Sequence, residues 1–422
     1  MSESSDAAGD VRERAAALAL PAGLTDAGAA FPTVFLDAGG RDLRRLSPRA
    51  QEQLDHALLE ALARVHEGPV EGRALLKVHV GEPQCVTRMR PEHVAASARF
   101  VRERGASRTV AGDTTVAYTG PRGHRENPQV DARTYLELAR RHGWSADGPA
   151  TVPFVVLDRP ASGRNAGFPF AEGQMRRKLH GIQRFQDVFP AGGFDAAGFV
   201  VNHAHLTLHG LAGIACCVKS IAMGCSALPG KLRMHQSLLP HFDEERCVLC
   251  GRCVDACPEG ALSLPPDATS PVLDEQKCIG CGECVSVCAT SSRAASLRGE
   301  AIHDWTRGAA TLCERMADYT VGLMQGKWAT TVHVAHLYAA TPLCDCVDAA
   351  QEPLLEGDIG FLVGKNPFAV DRLAGRLLRR ALVEGGREVE EGPLGTAERT
   401  ANYVQQAYGI LAETPLERLP VW

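Results

Sequence analysis

Apolar residues recur along this chain in two alternating rhythms. Short dense runs at Thr33 to Asp37, Ala74 to Val80, Arg108 to Ala111, Thr151 to Leu157 and Gly198 to Asn202 predict buried strands. Between them, apolar positions return every three or four residues. Ser47-Pro48 offers an N-cap and a first-turn proline, and Leu54, Leu58, Leu59 and Leu62 carry helical spacing to about Val65. Pro91 opens a second helix, stopped by Gly105, and Asp131 a third, ending at Gly143. The rhythm is lost across residues 159 to 195 and resumes late: a helix near 307 to 325, strands at Thr330 to Ala335 and Asp358 to Val363, and a helix from Phe368 to Val383. Such alternation predicts an α/β fold, a mostly parallel sheet covered by helices. Residues 1–30 lack periodicity and are expected to form a mobile N-terminal segment; residues 388–422 form a C-terminal segment without a motif.

The late helices and strands are separated from the early ones by eight of the fifteen cysteines. Cys247-x-x-Cys250-x-x-Cys253-x-x-x-Cys257-Pro258 is repeated as Cys278-x-x-Cys281-x-x-Cys284-x-x-x-Cys288-Ala289. This is the two-cluster ferredoxin spacing, in which three close thiolates hold one cube and the fourth reaches the other. One [4Fe-4S] cluster is expected on Cys247, Cys250, Cys253 and Cys288, the second on Cys278, Cys281, Cys284 and Cys257. Gly251, Gly280 and Gly282 are expected to let backbone N–H groups approach the sulfides. Zinc sites do not repeat this run, and nothing argues for the oxidising compartment that disulfides need. Ala289 replaces the usual proline but removes no ligand. The expected organisation is therefore an α/β domain in two parts, 31–240 and 296–387, with an inserted two-cluster ferredoxin-like (α+β) module at 241–295.

Composition narrows the function classes. In 422 residues, 45% are hydrophobic and 23% charged, ordinary for a globular protein. A net charge of −5 argues against a nucleic-acid surface. Neither a secretory signal nor a membrane span is visible, and cluster thiolates point to the cytoplasm.

Several segments together resemble the iron–sulfur cluster-binding proteins of the DUF362 family (domain of unknown function 362). They are LLKVHVGEP with MRPEHV, AGDTT, HLTLHGLAGIACCVKSIAMGCSALPGKLRMH, the double cysteine motif, and TPLCDCV followed by DIGFL and NPFAVD. The resemblance runs over roughly residues 74 to 385. It implies a 4Fe–4S protein with a companion α/β domain and supplies no settled reaction. His205, His209, Lys219, Cys225, Lys231, His235, Cys344, Asp345 and Cys346 match family positions. Thr207 and Leu208 depart from a usual Lys-Gly pair, and Ala215, Cys216 and Cys217 from a Gly-Gly-Ala run.

Ligands of open α/β sheets collect beyond the carboxyl ends of the strands. That rule gathers His79 with Glu82, Asp113 with Thr114, His203 with His205, and Thr341 with Cys344. The candidate catalytic set is His79, Asp113, His205, His209, Lys219, Cys225, Cys344 and Cys346. Lys77 and His79 share a strand face, as sheet-end polar residues or as chemistry. His205 and His209 are four apart; they share a metal if the segment is helical, and otherwise bond to loop backbone. Cys225, Cys344 and Cys346 are either a third redox or metal site or structural thiols. Cys85, Cys313, Cys216 and Cys217 read as packed thiols. No G-x-G-x-x-G follows a strand, so no nicotinamide or flavin fingerprint is present.

These residues predict an oxidoreductase in which two clusters pass electrons between an external donor or acceptor (a ferredoxin, flavodoxin or reductase) and a small-molecule substrate in the α/β domain. A non-catalytic electron carrier and a metal- or cluster-delivery protein are the alternatives.

Overall fold

Eight strands, β1 (Thr33–Asp37), β2 (Arg73–Lys77), β3 (Arg108–Asp113), β4 (Phe154–Val156), β5 (Phe199–His205), β6 (Thr331–Leu337), β7 (Gly360–Gly364) and β8 (Leu416–Leu419), pair side by side in the order β8-β1-β7-β6-β5-β2-β3-β4. This computed structural model describes residues 3–116, 120–123, 132–159, 175–210, 212–235, 239–257, 259–275, 277–278, 283–288, 291–297, 309–387, 389 and 391–422. Only β7 runs against its neighbours, pairing Val363 with Val34 of β1 and with Val334 of β6. All other pairings are parallel, with Val200 of β5 beside Leu75 of β2 and Thr331 of β6. The expected α/β fold with a mostly parallel sheet is therefore observed.

Burial explains the pattern. Every residue of β5 and β6 is buried, as sheets covered on both faces require. Successive residues face opposite layers: Leu76 and Val201 join a core with Leu58, Leu62, Phe100 and Leu138, whereas Leu75 and Val200 join one with Ile221, Tyr319 and Phe194. Helices Pro48–Val65, Ala95–Glu103 and Arg133–Arg141 supply the first layer, and Cys217–Ala222 and Ala309–Met324 contribute to the second. Ser47 caps the first of these through the Ala50 N–H, as its sequence predicts. Asp131, expected to open the third, lies outside the described residues.

Both ends of the chain carry secondary structure that the sequence pattern did not reveal. The N-terminal stretch contains helix Glu3–Ala17, followed by the fully buried Leu18 and Leu24. The C-terminal stretch forms helix Glu391–Tyr408, packed on helix Pro367–Glu384, and β8, which extends the sheet beyond β1. Gly392, Pro393 and Gly395 disguise that helix, and β8 is an edge strand with polar residues, so neither shows a strong period.

Within the cysteine-rich region, Pro240–Phe242 pairs antiparallel with Ala295–Leu297, and Leu262–Ser263 with Val272–Leu273. The chain thus enters and leaves this module along one two-stranded ribbon. Short helix Arg252–Asp255 lies within the first cysteine run, before Cys257, and Glu283–Cys288 closes the second. Among the described residues, no helix is long and apolar enough to cross a membrane.

Candidate functional site

The cysteine module presents a small concavity lined by Cys247, Cys250, Cys253 and Cys288 together with Phe242 and Ser292, among others. Three of these cysteines come from one run and the fourth from the other. Cys250 is exposed, and the Arg252 N–H and the Ser291 hydroxyl beside it lower its thiol. Leu249 and Gly251 both have left-handed backbone (φ 52° and 71°), so the chain turns sharply on either side of Cys250. Burial and the neighbouring Cys288 instead push Cys253 up, to about 11. The Ala295 N–H donates to Cys288 Sγ and the Ala261 N–H to Cys257 Sγ, each at 3.2 Å. Four cysteines lining a hollow without carboxylates, one of them accepting a backbone N–H at its sulfur, suit an iron–sulfur cube. Of the second set, Cys257, Cys278 and Cys284 are described; Cys281, Gly280, Gly282 and Ala289 lie outside the described residues.

A second group of polar side chains lies beyond the carboxyl ends of β2, β3, β5 and β6. Lys77 Nζ sits 3.0 Å from Asp113 Oδ1, and Arg122 bridges Asp113 Oδ2 (3.2 Å) and Glu82 Oε1 (2.9 Å). Tyr135 donates its hydroxyl to Asp113 at 2.6 Å. All five side chains are buried. Burial alone would raise the Asp113 carboxyl, but Lys77 and Arg122 outweigh it and hold it well below the usual carboxylate range. Lys77, at the end of its strand, is therefore a buried ion-pair partner.

At the ends of β5 and β6, His205 Nδ1 lies 2.7 Å from Asp345 Oδ2, and Nε2 lies 2.6 Å from the Tyr338 carbonyl. Two acceptors require both ring nitrogens to donate, and Asp345 raises His205 despite the opposing effect of burial. The Cys85 thiol donates to the other Asp345 oxygen at 3.4 Å. Between the two networks stands His79, whose Nδ1 accepts from the Gly81 N–H at 3.1 Å. Burial and Arg122 push this ring down to about 3, so it is neutral at pH 7.

The segment from His205 to His209 is extended, continuing into a hairpin of Thr207–His209 with Gly213–Ala215. The shared-metal reading of His205 and His209, which needed a helix, is thereby corrected: His205 faces Asp345, and His209 gathers with Cys344 and Cys346 instead. Cys225 does not join Cys344 and Cys346 either. It is fully buried in the helix layer, where burial pushes its thiol to about 12 and Lys77, Asp113 and Lys231 are the charges it feels. Lys219 does join them, with Nζ 3.1 Å from Cys344 Sγ and 3.8 Å from Cys346 Sγ. Thr341 turns its hydroxyl to the Leu343 carbonyl and shapes this loop.

A match to the DUF362 model, described as a domain of unknown function, covers residues 74–376. The chain belongs to the DUF362 family. No curated protein and no solved structure matches it. The DUF362 match spans both polar groups and the cysteine module, so the site is built from the shared part of the chain. Arg122 and Tyr135 escaped the sequence reading; a Gly/Pro-rich loop hid the first and an amphipathic helix the second. The buried line of His203 against His336 and Asn202 against His333, each at 2.9 Å, was also missed. Four histidines on adjacent central strands were its only sequence signal.

Proposed function

We propose that this protein is an iron–sulfur oxidoreductase carrying two [4Fe-4S] clusters. Cys247, Cys250, Cys253 and Cys288 would hold one, and Cys278, Cys281, Cys284 and Cys257 the other. Each cluster, when bound, supplies one-electron transfer at a potential set by burial and by hydrogen bonds to sulfur. An external ferredoxin, flavodoxin or reductase serves as donor or acceptor in this reading, and the protein works in the cytoplasm. The observation that carries it is the convergence of Cys247, Cys250, Cys253 and Cys288, from two separate runs, on one hollow.

The substrate's place in this reading is beyond the carboxyl ends of β2, β5 and β6. His79, His209, Lys219 and Cys346 are only partly buried there, behind fully buried ion pairs that hold the loops in position. Lys219 offers positive charge to an anionic group, and neutral His79 can move a proton at Nε2. Helix Leu228–His235 links these strand ends to the module: Leu228 and Leu232 pack with Cys253, Cys284 and Cys288, while Lys231 donates to Thr114 at the end of β3.

The test is reduction of anaerobically prepared protein by a low-potential donor, followed by spin resonance. Two reducible centres are expected, reoxidised by the small molecule that co-purifies or by an added acceptor. Centres that reduce but are reoxidised only by another protein, with no effect of Lys219→Met, would leave an electron carrier and overturn the enzyme reading.

A further inference from the structure

We infer that Cys344 and Cys346 are a redox-active dithiol that exchanges with a disulfide substrate, Cys344 being the attacking sulfur. This goes beyond the cluster reading and does not depend on it. The two sulfurs and a ring nitrogen of His209 all lie within 4.8 Å of one another. The residue between them is locked the other way. Asp345 is held by His205 and Cys85, and its carbonyl accepts from the Glu82 N–H at 3.2 Å. With Asp345 pinned behind the loop, both flanking thiols are presented on one side.

The surroundings of Cys344 favour a thiolate. The Cys346 thiol and the Lys219 ammonium lower it against the cost of burial, and the Cys346 N–H donates to its sulfur at 3.4 Å. Charge near a thiol is what sets its reactivity at neutral pH. Cys344 is buried and Cys346 only half-buried, so a disulfide has to approach from the Cys346 side, where the exposed Leu343 and Val347 form an apolar rim.

The same three donors are close enough to ring a metal ion, but the hydrogen bonds oppose it. The Ala212 N–H donates to His209 Nδ1 at 3.1 Å, which puts the neutral ring's proton on Nε2. One ring nitrogen is thus already an acceptor and the other an N–H donor, while Lys219 brings a positive charge to the sulfurs. Cys216 and Cys217 form no comparable pair. Both are fully enclosed, burial raises both thiols, and the Asp371 carboxylate near them accepts the Cys217 and Val218 N–H groups.

In the exchange, Cys344 attacks a disulfide R–S–S–R′, forming a mixed disulfide and releasing R′S⁻, which takes a proton from solvent. Cys346 then attacks the Cys344 sulfur, and its proton goes to the departing RS⁻. Two protein thiols are oxidised to one disulfide, and the substrate disulfide is reduced to two thiols. An external dithiol reverses the step.

The experiment uses the full chain, prepared anaerobically, with glutathione disulfide as probe. Released thiol is measured, followed by differential alkylation, peptide mass spectrometry and an iron count. The inference expects two equivalents of thiol and a Cys344–Cys346 disulfide. Cys346→Ser should stop at one equivalent with glutathione on Cys344, and Lys219→Met should slow release at least about tenfold at neutral pH and move its pH inflection upward. Cys344 and Cys346 remaining reduced, equal release from the wild type and Cys346→Ser, or one zinc per chain lost in Cys344→Ser would each overturn it. Loss of iron with normal thiol release would fault the cluster reading alone.

Discussion

Lys231 and Leu232 are neighbours on one helix and serve different parts of the molecule. Leu232 is buried among Cys253, Cys284, Cys288 and Phe242 of the cysteine module, whereas Lys231 Nζ donates to Thr114 Oγ1 at 2.8 Å and to the Ser226 carbonyl. Burial lowers this lysine to about 8, even with Asp158 and Asp113 opposing. The helix thus connects the module to the strand ends. Leu232→Ala is expected to cost about 2–5 kcal/mol, read as a lower denaturant midpoint. An unchanged midpoint would mean that the module does not lean on this side chain.

Asp113 neutralises Lys77 and Arg122 where water does not reach. Asp113→Asn leaves both cations under-compensated and is expected to cost about 3–5 kcal/mol. Because the folded carboxyl lies below its unfolded value, its contribution is complete above about pH 4 and is lost as pH falls through the folded value. Wild type and variant should therefore converge in strong acid. A gap that stays constant as pH falls would contradict the ion-pair account.

Acid acts earlier through the histidines. His203 and His333 are pushed down to about 3 and His93 to about 4, all by burial. Their folded values lie below the unfolded one, so stability is complete above about pH 6.5. Below it, roughly 1.4 kcal/mol per pH unit is lost for each imidazole. Chemical denaturation at pH 7.5 and pH 5.5 should show the decline, and a flat profile would exclude neutral buried rings.

His205 has the opposite sign. Asp345 raises it, so the pair's contribution holds below the unfolded imidazole value and is lost as pH rises through the folded one. Nitrogen-15 resonances followed over pH should show both ring nitrogens of His205 staying protonated to higher pH than in an ordinary imidazole. A single neutral tautomer would contradict the two-acceptor geometry.

The fold was legible wherever periodicity was strong. The strands at Thr33 and Phe199, the helix capped by Ser47-Pro48 and the helix read from Phe368 to Val383 lie close to where the sequence pattern put them. The strand-end rule found His79, Asp113, His205 and Cys344, because parallel topology fixes which ends converge. It could not pair them. That Asp345 would take His205, leaving His209 to the two cysteines, depends on a hairpin that small residues conceal. Cys225 misled because shared chemistry carries no information about which layer a side chain enters.

Iron and acid-labile sulfide per chain, counted in protein purified without oxygen, test the central claim most directly. The account expects about eight of each, with a brown chromophore reduced by substitution of Cys288 as well as Cys250. Colourless protein holding zinc, or no metal, in the cysteine module would contradict it.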